Sequence, residues 1–208
     1  MASASSEKPT EPPPLVQRVY APCVVGQPLR QTEILSDVIE IRQTLDSFQR
    51  QAEPAENERI THPLALIITQ DCDLEQDFFA RSAASPAQVP PERLLPNVLL
   101  CAVATVQELM AHTPKGHDIW KRVLENRDER YHFLQRVEPS EDALGKGLSP
   151  MGIDFKRYFT VPTDELYAQL QLGANRRCRL AGPYLEHLSS RFAYFLSRVA
   201  LPRPHETG

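Results

Sequence analysis

The sequence predicts one α+β domain built on an antiparallel, barrel-like sheet. Two unbroken apolar runs, residues 63–69 (PLALIIT) and 97–106 (NVLLCAVATV), read as strands buried on both faces. The clearest helical pattern comes last, after the strands, rather than alternating with them. The connections between strands are often too short for the crossover helices that parallel pairing needs.

Taken in order, residues 1–14 are small, polar and Pro-rich, and cannot bury enough apolar surface to offset chain entropy. The expected division is a mostly disordered tail over 1–27, a single barrel domain over 28–201 and a second short tail over 202–208. Residues 33–43 (EILSDVIEIRQ) carry Val38, Ile39 and Ile41 and read as a strand, entered from the turn residues Gly26 and Pro28. Residues 44–59 are polar and acidic, a predicted surface loop. Residues 80–96 hold four prolines and read as a long loop. A helical turn is expected over 107–112, and a helix over 117–128 with Ile119, Trp120, Val123 and Leu124 on one stripe. Residues 130–137 and 153–161 alternate well enough for strands, with a loop between them. Thr163 is placed to cap a short helix over 164–171. The last helix starts at Pro183, buries Leu185, Leu188, Phe192, Phe195, Leu196 and Val199, and stops before Pro202.

At 208 residues the chain is long enough to bury a core without crosslinks. Its formal charge of −4 argues against a nonspecific nucleic-acid binder, whose footprint is positive. No apolar stretch approaches the roughly 20 residues that span a bilayer, so no membrane association is expected. The N-terminus lacks the basic-then-apolar order of a signal peptide, and a cytoplasmic location follows as the expectation. Cys23, Cys72, Cys101 and Cys178 are far apart, without the paired spacing of a structural zinc site. Cys101, inside an apolar run, reads as a buried thiol. No cofactor is expected.

The most distinctive motif follows the first apolar run: Thr69-Gln70-Asp71-Cys72-Asp73-Leu74-Glu75, then Asp77. If the stretch stays extended, its acids share one face and Cys72 points to the core. Repelling carboxylates could then recruit magnesium or calcium, with Asp71 and Asp73 as the candidate ligands and Gln70 and Glu75 beside them. Equally, Asp side chains there could simply bond backbone N–H groups of a turn. Arg176, Arg177 and Arg179, with Arg191 and Arg198 seven positions apart on one helix face, make the C-terminal quarter basic. Arg176, Arg177 and Arg191 are candidates to bind phosphate or an acidic partner.

Residues 29–110 resemble the PemK/MazF family of toxin-like proteins. The resemblance runs through Glu33-Ile34 at a strand start, then His62-Pro63 and the strand Leu64-Ala65-Leu66-Ile67-Ile68, and into Val103-Ala104-Thr105. It implies an SH3-like barrel and sequence-specific endoribonuclease activity. The family's threonine has a counterpart in Thr105. Its arginine does not, because His62 holds that place and Arg59 lies three residues upstream. If the chain cleaves RNA, the resemblance implies His62, Thr105 and Arg59 as catalytic residues. With the arginine missing, the favoured expectation is a non-catalytic interaction or regulatory module with a protein partner. It also suggests an accessory protein of a bacterial defence or mobile-element operon. The alternatives are an endoribonuclease and a divalent-metal hydrolase using Asp71, Asp73 and Glu75.

Overall fold

The computed structural model describes residues 18–51, 55–83, 89–112 and 117–198. Residues 1–17 and 199–208, over which most of both expected tails fall, lie outside them. Seven antiparallel strands form one sheet: β1 (Tyr20–Pro22), β2 (Glu33–Gln43), β3 (Asn57–Ile67), β4 (Asn97–Thr105), β5 (Tyr131–Leu134), β6 (Met151–Pro162) and β7 (Asn175–Leu180). Their order across the sheet is β1-β7-β2-β3-β4-β6-β5. Among the described residues six α-helices accompany them: α1 (Leu45–Arg50), α2 (Asp71–Arg81), α3 (Val106–His112), α4 (His117–Leu124), α5 (Thr163–Leu172) and α6 (Tyr184–Ser197). The α+β class is as expected.

The barrel is not closed. β1 and β5 form the two edges, and no strand pairing joins them among the described residues. The sheet curls enough that Tyr20 of β1 shares a cluster with Leu134 at the end of β5 and with Val137. Across that seam the Tyr20 hydroxyl donates to the Gln135 carbonyl at 2.7 Å. Edge strands of three and four residues give packing there but no ladder.

The apolar runs are unbroken because both faces of the sheet are covered. In β4, Cys101 and Val103 enter one core with Leu66, Phe155, Leu188 and Phe192 beneath α6. Val98, Leu100 and Ala102 enter the other with Leu35, Ile67, Leu74 and Leu166 beneath α2 and α5. Alternation along a strand thus sends successive residues into different cores. Of the α6 stripe, Leu188 and Phe192 are buried, Leu196 is exposed, and Val199 lies outside the described residues.

Several expectations are corrected. Order begins before residue 28, since β1 pairs with β7 and Tyr20 is buried. β7 is a strand that the basic run NRRCRL conceals. The expected loop over 44–59 instead holds α1 and the start of β3, with β2 and β3 paired out to Gln43↔Asn57, while 52–54 lie outside the described residues. Residues 80–96 contain the end of α2 and a 3₁₀ turn over Pro91–Arg93, while 84–88 lie outside the described residues. Thr163 is the first helical residue of α5 rather than its cap, and its buried hydroxyl has no partner among the described residues.

The β2–β3 pair changes phase once. Ile34, Leu35 and Ser36 pair with Leu66, Ala65 and Leu64, and Val38 pairs with His62. Between them Asp37 sits opposite Pro63 in the left-handed region at φ 62. Beyond that point Val38 packs in the core of Leu35, not that of Ile34.

Candidate functional site

The acidic motif is a helix, not an extended segment. Residues 71–81 wind into α2, whose first turn carries Asp71 and Asp73 at the positive end of the backbone dipole. Helical winding splits the acids into two i,i+4 pairs, Asp71/Glu75 and Asp73/Asp77, on different faces instead of aligning all four. Asp71 Oδ1 accepts from the Gln31 N–H at 2.7 Å, and Glu75 pairs with Arg30 at 3.1 Å. Asp77 is fully buried, while Asp73 is exposed. Gln70 is the N-cap and makes no side-chain capping bond. Cys72 is exposed rather than core-facing, its Sγ near Asp73 Oδ1 at 3.6 Å and Gln70 Oε1 at 3.7 Å. Among the described residues no three His, Cys, Asp or Glu side chains group as a metal site.

The residues that the family resemblance implies do not converge. His62 is buried, its ring stacked 4.0 Å from Phe159, with Nε2 2.9 Å from Glu40 Oε2. Arg42 Nε also donates to Glu40, at 2.6 Å. Burial works to raise the Glu40 carboxyl, but the bonds from Arg42 and His62 outweigh it and hold the group below its ordinary value. Arg59 is exposed and pairs in register with Ile41, three residues from His62 along the strand, which turns it to the other face. Thr105 forms a reciprocal cap for α3: its N–H donates to Glu108 Oε2 at 2.8 Å, and Glu108 N–H donates to Thr105 Oγ1 at 3.2 Å. A Thr105→Ala chain is therefore expected to lose about 1 kcal/mol. Guanidinium unfolding of the variant beside wild type checks this.

Two arginines of the basic run are paired within the fold, and Arg191 is held by backbone carbonyls. Arg176 pairs with the buried Glu33 and donates to the carbonyls of Gln27 at 2.7 Å and Pro28 at 2.9 Å. Arg177 makes a two-bond pair with buried Asp142 at 2.8 and 2.7 Å. Hydrogen bonds from Arg177 lead in drawing the Asp142 carboxyl down to about 2. Arg191 donates to the carbonyls of Asn126, Asp128 and Tyr131, docking α6 on the turn before β5. These three candidates stitch the fold together.

Between α2 and α5 lie two clefts of about 450 and 470 Å³ that share Phe78, Tyr167 and Gln171. Arg81 reaches across the first to Asp164 and back to Asp77. Burial, then the neighbouring Asp77 charge, pushes the Tyr167 phenol up to about 12, so it stays protonated. Its hydroxyl finds no hydrogen-bond partner of adequate geometry among the described residues. Charges in this cleft satisfy one another.

The β2–β3 ribbon is different. β7 pairs with β2 only over Glu33–Ser36, and β4 pairs with β3 only over Ala65–Ile67. Residues 38–43 and 57–62 therefore pair only with each other as a two-stranded arm, whose base at Val38, Glu40 and His62 is buried and whose outer part is exposed. At its tip Thr44 Oγ1 accepts from Ser47 N at 3.2 Å to start α1, and Glu56 N donates to Ser47 Oγ at 2.8 Å. This fixed tip holds Leu45 and Phe48 outward at 70% and 66% exposure, with Ile41 at 49% on the arm. One arm edge is sealed at a single place. Gln169 of α5 accepts from Ile39 N at 2.8 Å and donates to Ile39 O at 2.9 Å, as a neighbouring strand would.

No protein-family model, no curated protein and no solved structure matches this chain. No helix among the described residues is long and apolar enough to cross a membrane. The arm is absent from the expected site. Its signal was the capping spacing Thr44-x-x-Ser47 with Leu45 and Phe48 three apart on one helix side.

Proposed function

We propose that the chain is a non-catalytic protein-interaction module, with the β2–β3 arm as its contact surface. The observation that carries this is the arm's tip, where hydrogen bonds within α1 and to Glu56 hold Leu45 and Phe48 in water. Exposed apolar side chains held side by side on a hydrogen-bonded turn are what a partner's pocket takes up. The wider setting, an accessory or regulatory protein of a defence or mobile-element operon, rests on the PemK/MazF resemblance. The endoribonuclease reading has less support, because His62, Arg59 and Thr105 have separate partners and faces. The metal-hydrolase reading loses its aligned carboxylates to the winding of α2.

Tagged full-length protein recovered gently from its native host should bring down a stoichiometric protein partner. The Leu45→Glu/Phe48→Glu chain should lose that partner while its unfolding midpoint stays within about 0.5 kcal/mol of wild type, since both side chains are exposed. Equal recovery of the partner by both chains, or no partner with wild type, would sink the reading.

A further inference from the structure

We infer that the open edge of β3, residues 57–61, pairs antiparallel with the same edge of a second copy, centred on Ile60. The inference rests on the reading of the arm as a contact surface and names one occupant for it. Ile39 gives both its backbone groups to Gln169 on the outer side of β2. Ile39 pairs in register with Thr61, so theirs is a non-hydrogen-bonded pair, and the Thr61 N–H and C=O point away from β2. The same phase turns the groups of Arg59 and Asn57 outward. Among the described residues no strand but β2 pairs with Asn57–His62, and Asn57, Glu58, Arg59 and Thr61 are exposed.

An edge that pairs with itself about a two-fold axis must match residues of the same phase, which limits the registers. Centring on Glu58 opposes glutamate to glutamate, and centring on Arg59 opposes arginine to arginine; both place like charges face to face. Centring on Ile60 sets Ile60 against Ile60 in a close non-hydrogen-bonded pair, Arg59 against Thr61, and Glu58 against His62. No like charges meet, and Arg59 and Thr61 exchange all their backbone bonds. Pro63, the next outward position, has no N–H and ends the pairing.

Sedimentation of the full chain over a range of concentrations tests this. Wild type is expected to form dimers, and Thr61→Pro, which removes an outward N–H without breaking a β2–β3 ladder bond, should weaken them at least tenfold. A folded Thr61→Pro chain that dimerises as wild type does overturns the inference, as does a wild type that stays monomeric throughout. Should Thr61→Pro fail to fold, Ile60→Cys in a Cys72→Ser background decides. Mild oxidation should yield a covalent dimer through position 60, and its absence counts against the pairing. The Leu45→Glu/Phe48→Glu chain should still dimerise, so loss of the partner at the tip and loss of the dimer at the edge are read separately.

Discussion

An Asp77→Ala chain should lose about 3–5 kcal/mol, seen as a large fall in the urea midpoint. Asp77 has no exposed surface. Arg81 Nε donates to its two oxygens at 2.9 and 2.8 Å, and the Leu95 N–H donates to Oδ1 at 2.8 Å. Truncation strands a partly exposed guanidinium and an amide together. The remaining Arg81 partners are the carbonyl of Leu95 and the carboxylate of Asp164, whose side chain is 84% exposed and screened by water. Total stability of such a domain is about 5–15 kcal/mol, so this single loss is a large share of it. Replacing both members, as Asp77→Leu/Arg81→Met, should recover more than half of the loss, because an apolar pair leaves no stranded charge. A single-variant loss below about 1 kcal/mol would mean that solvent already screens the pair.

The second large effect is a loss of stability in weak acid through His132. This side chain is buried, its ring 6.2 Å from Phe155 and 5.6 Å from His187, and Nδ1 has no partner among the described residues. Burial, followed by the charges of Arg191 and His187, lowers its pKa to about 3. The unfolded chain takes up a proton near pH 6.5, whereas the folded chain refuses it until near pH 3. Stability is therefore full above pH 6.5 and falls as the pH drops through that window. At pH 5 the His132 contribution is a loss of about 2 kcal/mol relative to pH 7.5. Urea unfolding at the two pH values measures it, and His132→Leu should remove most of the difference. A His132→Leu chain with an unchanged pH dependence would show that other groups set it.

The strands that were legible in the sequence are those whose side chains alone explain their burial. β4 and the inner half of β3 are apolar on both faces, and nothing but a doubly covered sheet suits them. β7 was illegible because ionic pairs bury it: Arg176 and Arg177 face Glu33 and Asp142, which lie far away in the chain. Three arginines in six residues look like a surface until their partners are known. The acids of α2 misled for a related reason. Leu74 and Ala80 are its buried apolar residues, and the third buried position is Asp77, so the helical period is hidden by a charge. The arm escaped notice because no apolar core marks it. Short-range signals at Thr44 and Ser47 were present, but pairing between Gln43 and Asn57 depends on a tip whose residues read as loop.

The position of β7 also sets a timetable for synthesis. It lies between β1 and β2, yet among the described strands it is the last to leave the ribosome. Until it arrives, β1 has no neighbour, the inner edge of β2 is bare, and the buried carboxylate of Glu33 waits for an arginine 143 positions downstream. β2 to β6 can assemble while the chain grows, but β1 joins only after release of the C-terminal quarter. That side of the sheet is thus closed by a long-range pairing, and the edge of β2 that β7 covers has no strand neighbour until the chain beyond residue 180 has been made.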